Sequence, residues 1–138
     1  DREVKPEEIY QSLLDTYVVD SEPYRLVDYD LLTGREQDQR CVARVAVSEN
    51  TLTIDGEGSG PIEAFVTALG ETLNEPVTIL SYQEVAIGTG SDAQAICIVS
   101  IEDREEGQRC YGIGLSRNTT TTAFNAVISA MNRRWTSS

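Results

Sequence analysis

The stretch GEGSGPIEAF, residues 56–65, is the part of this chain best suited to holding a ligand. Alternate glycines let a backbone approach another group closely, and Pro61 opens a helix whose first N–H groups point outward. Such a turn serves a phosphate, a small carboxylate or a neighbouring backbone. The pattern GxGxGP is a poor dinucleotide fingerprint, because that motif needs GxGxxG in a parallel strand–helix–strand unit with an acid about 20 residues on. A bulge or a tight strand-to-helix turn is the plainer reading.

Other chemistry is thinly supplied. The chain has no histidine, so the commonest general base, the Ser-His and Cys-His pairs and the usual zinc ligand are missing. Cys41, Cys97 and Cys110 stand singly inside apolar runs, with no CxxC. They read as buried structural thiols in a reducing compartment. Glu105 and Glu106 fall in EDREEGQR, a solvated hairpin tip, as does TGREQDQR earlier. Neither tip places two carboxylates across a cleft for acid–base work.

The whole chain is 138 residues long and 40% apolar, enough for one domain with its own core. Its formal charge is −12, with one lysine (Lys5) and ten arginines against 23 carboxylates. That surface repels nucleic acid and anionic lipid, so neither is expected as a partner. No apolar run reaches membrane-spanning length, and a cytoplasmic location is expected. The opening DREVKPEEI lacks a start methionine and reads as cut from a longer protein.

The elements follow from periodicity. KPEEIYQSLLDTYV reads as a short helix with Ile9, Leu13 and Tyr17 on one face, broken at DSEP. YRLVDYDLLTG, CVARVAVSEN and TLTIDGEG read as strands, with SEN as a turn. From Pro61 the period changes: Ile62, Phe65, Val66, Leu69 and Leu73 form one helical stripe. VTILSYQEVAIG, DAQAICIVSIED and QRCYGIGL are three further strands. Thr119 to Arg134 is a second helix, capped by Asn118 or Thr119, with Phe124, Val127, Ile128 and Met131 as its stripe.

The order repeats. LVDY matches ILSY, IDGEG matches CYGIG and EAFVTAL matches TAFNAVISAM. The fold class is therefore α+β: two pseudo-symmetric βββα repeats, residues about 23–74 and 76–135, forming antiparallel sheets with helices packed on them.

With these pieces in order, GEGSGPIEAFVTAL, LSYQEVAIGTGSDAQA and YGIGLSRNTTTTAFNAVISAMNRR make residues 20–135 similar to the C-terminal regulatory domain of 2-isopropylmalate synthase. The resemblance implies a domain that dimerises and binds the end-product amino acid, L-leucine, at or near the dimer interface. Residues 1–19 resemble the end of a linker subdomain, and 20–138 the regulatory domain itself. It implies a catalytic barrel elsewhere in the parent chain, with a divalent metal and acetyl-CoA; this segment needs no cofactor and performs no catalysis.

The resemblance also implies a leucine pocket. Gly58, Ser59 and Gly60 correspond to its glycine loop, followed by Ile62. Tyr82 corresponds to its aromatic residue, preceded by Ile79, and Ala86, Ala93 and Ala95 to small residues on facing strands. Asp92 and Leu115 complete the set. Ser59 stands where relatives often carry asparagine, and Glu63 where small residues are common.

Elementary chemistry agrees with that set. The alanines leave room, and Ile62, Ile79 and Leu115 offer an apolar wall, where burying a leucine side chain contributes roughly 1.5–3 kcal/mol. N–H groups near Gly60 suit a carboxylate, and Asp92 or backbone carbonyls suit an ammonium. Two other readings stand beside leucine feedback: isoleucine sensing, as in the citramalate synthase relatives, and a structural dimerisation domain without a ligand.

Overall fold

The computed structural model describes residues 23–74, 76–88, 90, 93–103 and 107–136. The helix expected within residues 1–19 and the hairpin-tip acids Glu105 and Glu106 lie outside them. Six strands and two α-helices follow the order read from the sequence: β1 (Tyr24–Thr33), β2 (Gln39–Val47), β3 (Asn50–Gly58), α1 (Pro61–Leu73), β4 (Val77–Ile87), β5 (Gln94–Asp103), β6 (Arg109–Ser116) and α2 (Thr119–Thr136). They form two antiparallel sheets, β1-β2-β3 and β4-β5-β6, each followed by its helix. The fold is the expected α+β pair of βββα units.

Alternation decides which face of each strand is covered. Cys41, Ala43 and Val45 of β2 and Cys97, Val99 and Ile101 of β5 turn inward and are fully or almost fully buried. Arg44, between them on β2, is exposed. Both helices bury their stripes on these inner faces, and at the centre the Phe65 and Phe124 rings stack with centroids 4.1 Å apart. All four stripe residues of α2 are buried, while Ile62, Val66 and Leu73 of α1 are only partly so. Asn132, buried on α2, ties the second repeat to the first: its Oδ1 accepts from the Tyr24 N–H at 2.9 Å, and its Nδ2 donates to the Tyr24 carbonyl at 2.8 Å. A buried strand end is thus satisfied from the other repeat.

The glycines answer the question of what they approach. A Cβ on Gly56 would lie 2.4 Å from the Ala68 nitrogen, and one on Gly58 2.6 Å from the Ala64 nitrogen. These residues let β3 lie directly on the backbone of α1. Bulges occur elsewhere, between Leu26 and Asp28 and between Ile79 and Ser81, at matching places in the two repeats.

Strand register corrects one detail of the internal alignment. Cys41 pairs with Gly56 as Cys97 pairs with Gly114, so Gly114, not Gly112, takes the place of Gly56. The helix contacts agree, since Gly56 meets Ala64 O and Ala68 N while Gly114 meets Thr122 O and Ala126 N. The β5–β6 turn is longer than the Ser48–Glu49 turn joining β2 to β3, and that shifts the match by two residues. On this register Glu63 and Val66 of α1 correspond to Thr121 and Phe124 of α2, and Phe65 and Phe124 are not equivalents.

All three cysteines are buried. Burial pushes the Cys41 thiol up to about 11 and the Cys97 thiol up to about 12, with Asp55 and Glu84 respectively adding to the shift. These are inert core thiols. Among the described residues no helix is long and apolar enough to cross a membrane.

Candidate functional site

Each helix begins beside the first strand of the other repeat, and the two junctions differ. At the junction of α2 with β1, Asn118 caps the helix by accepting from the Thr121 N–H at 3.0 Å. The Tyr29 hydroxyl lies 2.7 Å from Thr121 Oγ1, and the Tyr29 ring meets Phe124 edge-on with centroids 4.7 Å apart. Aromatic bulk and a hydroxyl pair plug that corner.

At the pseudo-equivalent junction of α1 with β4 the plug is missing. Gly60 is the N-cap in extended conformation and no side chain caps the helix. Val66 stands where Phe124 stands, Tyr82 where Tyr29 stands, and Glu63 where Thr121 stands. A cavity of about 440 Å³ opens between them, walled by Ile62, Val66, Val77 and Ile79, with Glu63, Thr67, Thr78 and Tyr82 supplying polar groups. An apolar recess of that size with a few convergent polar groups is the form of a small-molecule site.

The electrostatics of the recess are acidic. Glu63 lies in the first turn of α1, where the helix dipole favours a carboxylate, and accepts a hydrogen bond from the Ser59 hydroxyl. Burial, then hydrogen bonding to the Glu84 carboxylate, pushes the Tyr82 phenol above its ordinary range. The arrangement can therefore hold an ammonium at Glu63, while the uncapped N-terminus beside Gly60 offers N–H groups to a carboxylate.

Of the residues singled out from the sequence, Ile62, Ile79 and Tyr82 line this recess, while Gly60 caps the helix that walls it and Ser59 reaches it only through its hydrogen bond to Glu63. Gly58 sits just behind it, pressed on α1. The others lie apart within the chain. Ala86 pairs with Ala95 at the far end of β4, four residues or about 13 Å beyond Tyr82. Ala93 donates to the Gly90 carbonyl at 3.2 Å in the loop before β5. Leu115 pairs with Ile96 on the face of the sheet away from the helices, because Gly114 beside it faces α2. Leu115 thus does not wall the recess together with Ile62 and Ile79. Asp92 lies outside the described residues.

Val66, Thr67, Val77 and Thr78 line the recess and are not among the residues assigned to the pocket from the sequence. The signal was present in the repeat: aligning the helices by their first residues, Pro61 with Thr119, sets Val66 against Phe124. A larger groove of about 610 Å³ flanks α1 on its other side, lined by Arg35, Arg40, Asp55, Glu57 and Glu71 among others. It is open and polar, and Arg40 is paired with Asp55 through two hydrogen bonds; Gly56 and Glu57 of the glycine stretch line it, but none of the residues assigned to the leucine pocket does.

Comparison with known proteins places this architecture. Residues 3–135 match the family model described as LeuA allosteric (dimerisation) domain. The chain is 31% identical over 138 residues to a 2-isopropylmalate synthase of Clostridium acetobutylicum, covering 96% of this chain and 24% of that protein. It is 33% identical to the 2-isopropylmalate synthase of Mycobacterium ulcerans over 133 residues, 95% of this chain and 23% of that one. It is 35% identical to that of Pseudomonas entomophila over 134 residues, again 95% and 23%. The chain thus spans about a quarter of the length of these relatives. A chain matched over almost its whole length, with two βββα units as its fold, belongs to the LeuA allosteric (dimerisation) domain family.

Proposed function

We propose that this domain is the leucine sensor and dimerisation module of a 2-isopropylmalate synthase. The open α1–β4 recess, set against its plugged counterpart at α2–β1, carries the reading. The leucine side chain lies against Ile62, Val66 and Ile79, its ammonium faces Glu63, and its carboxylate takes the N–H groups after Gly60. Such a pocket selects a zwitterion with an apolar tail. The relatives bear the name of an enzyme that makes a leucine precursor, so end-product feedback is the natural regulation.

The fragment performs no acyl transfer by itself. Catalysis belongs to a barrel elsewhere in a cytoplasmic parent chain, which supplies the divalent metal and acetyl-CoA. Leucine binds one arrangement of the domain pair better than another, and a coupling of about 1–3 kcal/mol gives a 5- to 150-fold effect on the barrel.

Calorimetric titration with L-leucine, L-isoleucine and L-valine tests this. Saturable heat with leucine alone is expected. A preference for isoleucine moves the parent to the citramalate-type relatives, and no heat from any of the three in a folded sample leaves only the structural role.

A further inference from the structure

We propose that Glu63 makes the α1–β4 recess select a ligand bearing an α-ammonium, so that the domain answers to an amino acid and rejects the 2-oxo acid with the same tail. This role of Glu63 rests on the leucine reading of the recess given above.

The apolar walls give no such selection. Ile62, Val66, Val77 and Ile79 meet the branched tail, which leucine shares with 4-methyl-2-oxopentanoate. The two molecules differ at the α-carbon, where one carries an ammonium and the other a carbonyl oxygen. At neutral pH the first is a zwitterion without net charge and the second a monoanion. Charge must therefore tell them apart.

The recess holds charge of one sign. Among the described residues that line it, Glu63 alone is charged, and none is an arginine or lysine. The larger groove across α1 differs, with Arg35 and Arg40 beside its acids. A ligand carboxylate in the recess meets only backbone donors. Pro61 has no N–H, and the Ala64 N–H donates to the Gly60 carbonyl at 2.9 Å, which leaves the N–H groups of Ile62 and Glu63. The Glu63 carboxylate stands on the same turn, and the Ser59 hydroxyl donates to it and holds it at the helix start. A lone anion at those N–H groups thus lies beside a negative charge, in a chain of net charge −12. An α-ammonium turns that repulsion into attraction. Selectivity then has two parts, a favourable contact with the amino acid and a penalty on its analogue.

The pseudo-equivalent corner lacks this charge. There the matching residue is Thr121, whose neutral hydroxyl meets Tyr29. The carboxylate occurs only where the corner is open. Glu63 is exposed and lies outside the buried core, so its charge can be removed without disturbing the packing.

Calorimetric titration of wild type, Glu63→Gln and Glu71→Gln with L-leucine and with 4-methyl-2-oxopentanoate tests the assignment, the oxo acid being measured by competition against leucine as well. Glu63→Gln keeps the size of the side chain and an oxygen that accepts from Ser59. Glu71→Gln removes the same charge from the same helix, but from a residue that lines the other groove and not the recess. Wild type should prefer leucine. In Glu63→Gln leucine should weaken about threefold and the oxo acid tighten about threefold, so that the preference narrows roughly tenfold, the scale of a solvent-accessible ion pair gained or lost. Glu71→Gln should leave the preference as it is in wild type.

An unchanged preference in Glu63→Gln, equal weakening of both ligands, or the same narrowing in Glu71→Gln each overturns the assignment. The leucine reading fails differently. Wild type without leucine heat removes the site and this role with it, whereas leucine heat with an unchanged preference in Glu63→Gln leaves the sensor and removes only the role of Glu63.

Discussion

Tyr29 and Thr121 are joined hydroxyl to hydroxyl at 2.7 Å, across the boundary between the two repeats. Phe124 closes the same corner against the Tyr29 ring. The pseudo-equivalent trio Tyr82, Glu63 and Val66 leaves a cavity instead. One side chain accounts for much of that difference, so Val66→Phe should refill the recess. Leucine affinity should fall at least tenfold, with a thermal midpoint unchanged or slightly raised, because filling a void adds contacts. Wild-type affinity in this variant, measured by calorimetry, would place the binding site elsewhere.

Gly58 and Gly60 are two residues apart and should respond oppositely. A Cβ on Gly60 meets nothing within 4 Å, and its φ of −147° suits any residue. Gly60→Leu should therefore fold normally while crowding the helix terminus and weakening leucine binding or, in the parent enzyme, leucine inhibition. A Cβ on Gly58 falls 2.6 Å from the Ala64 nitrogen and 2.8 Å from the Glu63 carbonyl carbon, which are helix backbone and yield little. Gly58→Ala should cost about 1–3 kcal/mol by forcing β3 off α1. Urea melts of the pair decide this, and equal stability would refute the close-packing role.

Asn132 should be among the most sensitive polar residues. Asn132→Ala removes the two buried hydrogen bonds that tie the Tyr24 backbone to α2. A loss of about 2–4 kcal/mol is expected, since two buried groups lose their hydrogen bonds. Hydrogen exchange at the Tyr24 amide should accelerate even under conditions where the variant remains folded.

Alkaline pH should loosen the fold through its thiols. The folded chain holds Cys41 at about 11 and Cys97 at about 12, against an ordinary value of 9.0. Raised folded values mean that the unfolded chain releases protons first. The thiols' contribution is full below about pH 9 and is lost as pH climbs toward 11, on the order of 2 kcal/mol per thiol. Denaturant melts at about pH 8 and about pH 10.5 check the sign. Cys97→Ala should start less stable but show a shallower decline, and a parallel decline would show that the thiols are not responsible.

Much of this fold was legible in the sequence because its signals are local. Alternation along CVARVAVSEN and AICIVSIED, and the stripe Phe124, Val127, Ile128 and Met131, state which faces must leave water wherever the partners lie. Doubling of the pattern then implies two units that cover one another. Resemblance over residues 20–135 identified the family that the domain match over 3–135 establishes. What tertiary structure decided is which similar residues occupy equivalent places. The glycine pairs and the two phenylalanines look matched along the chain, yet the register moves the glycine match by two residues and the phenylalanine match by one, and Phe65 and Phe124 meet as a stacked pair at the centre. Tyr29 and Tyr82 are likewise indistinguishable in sequence context. Only the side chain arriving from the other repeat, Phe124 or Val66, determines which corner is closed and which stays open, and no local pattern encodes contacts between segments so far apart.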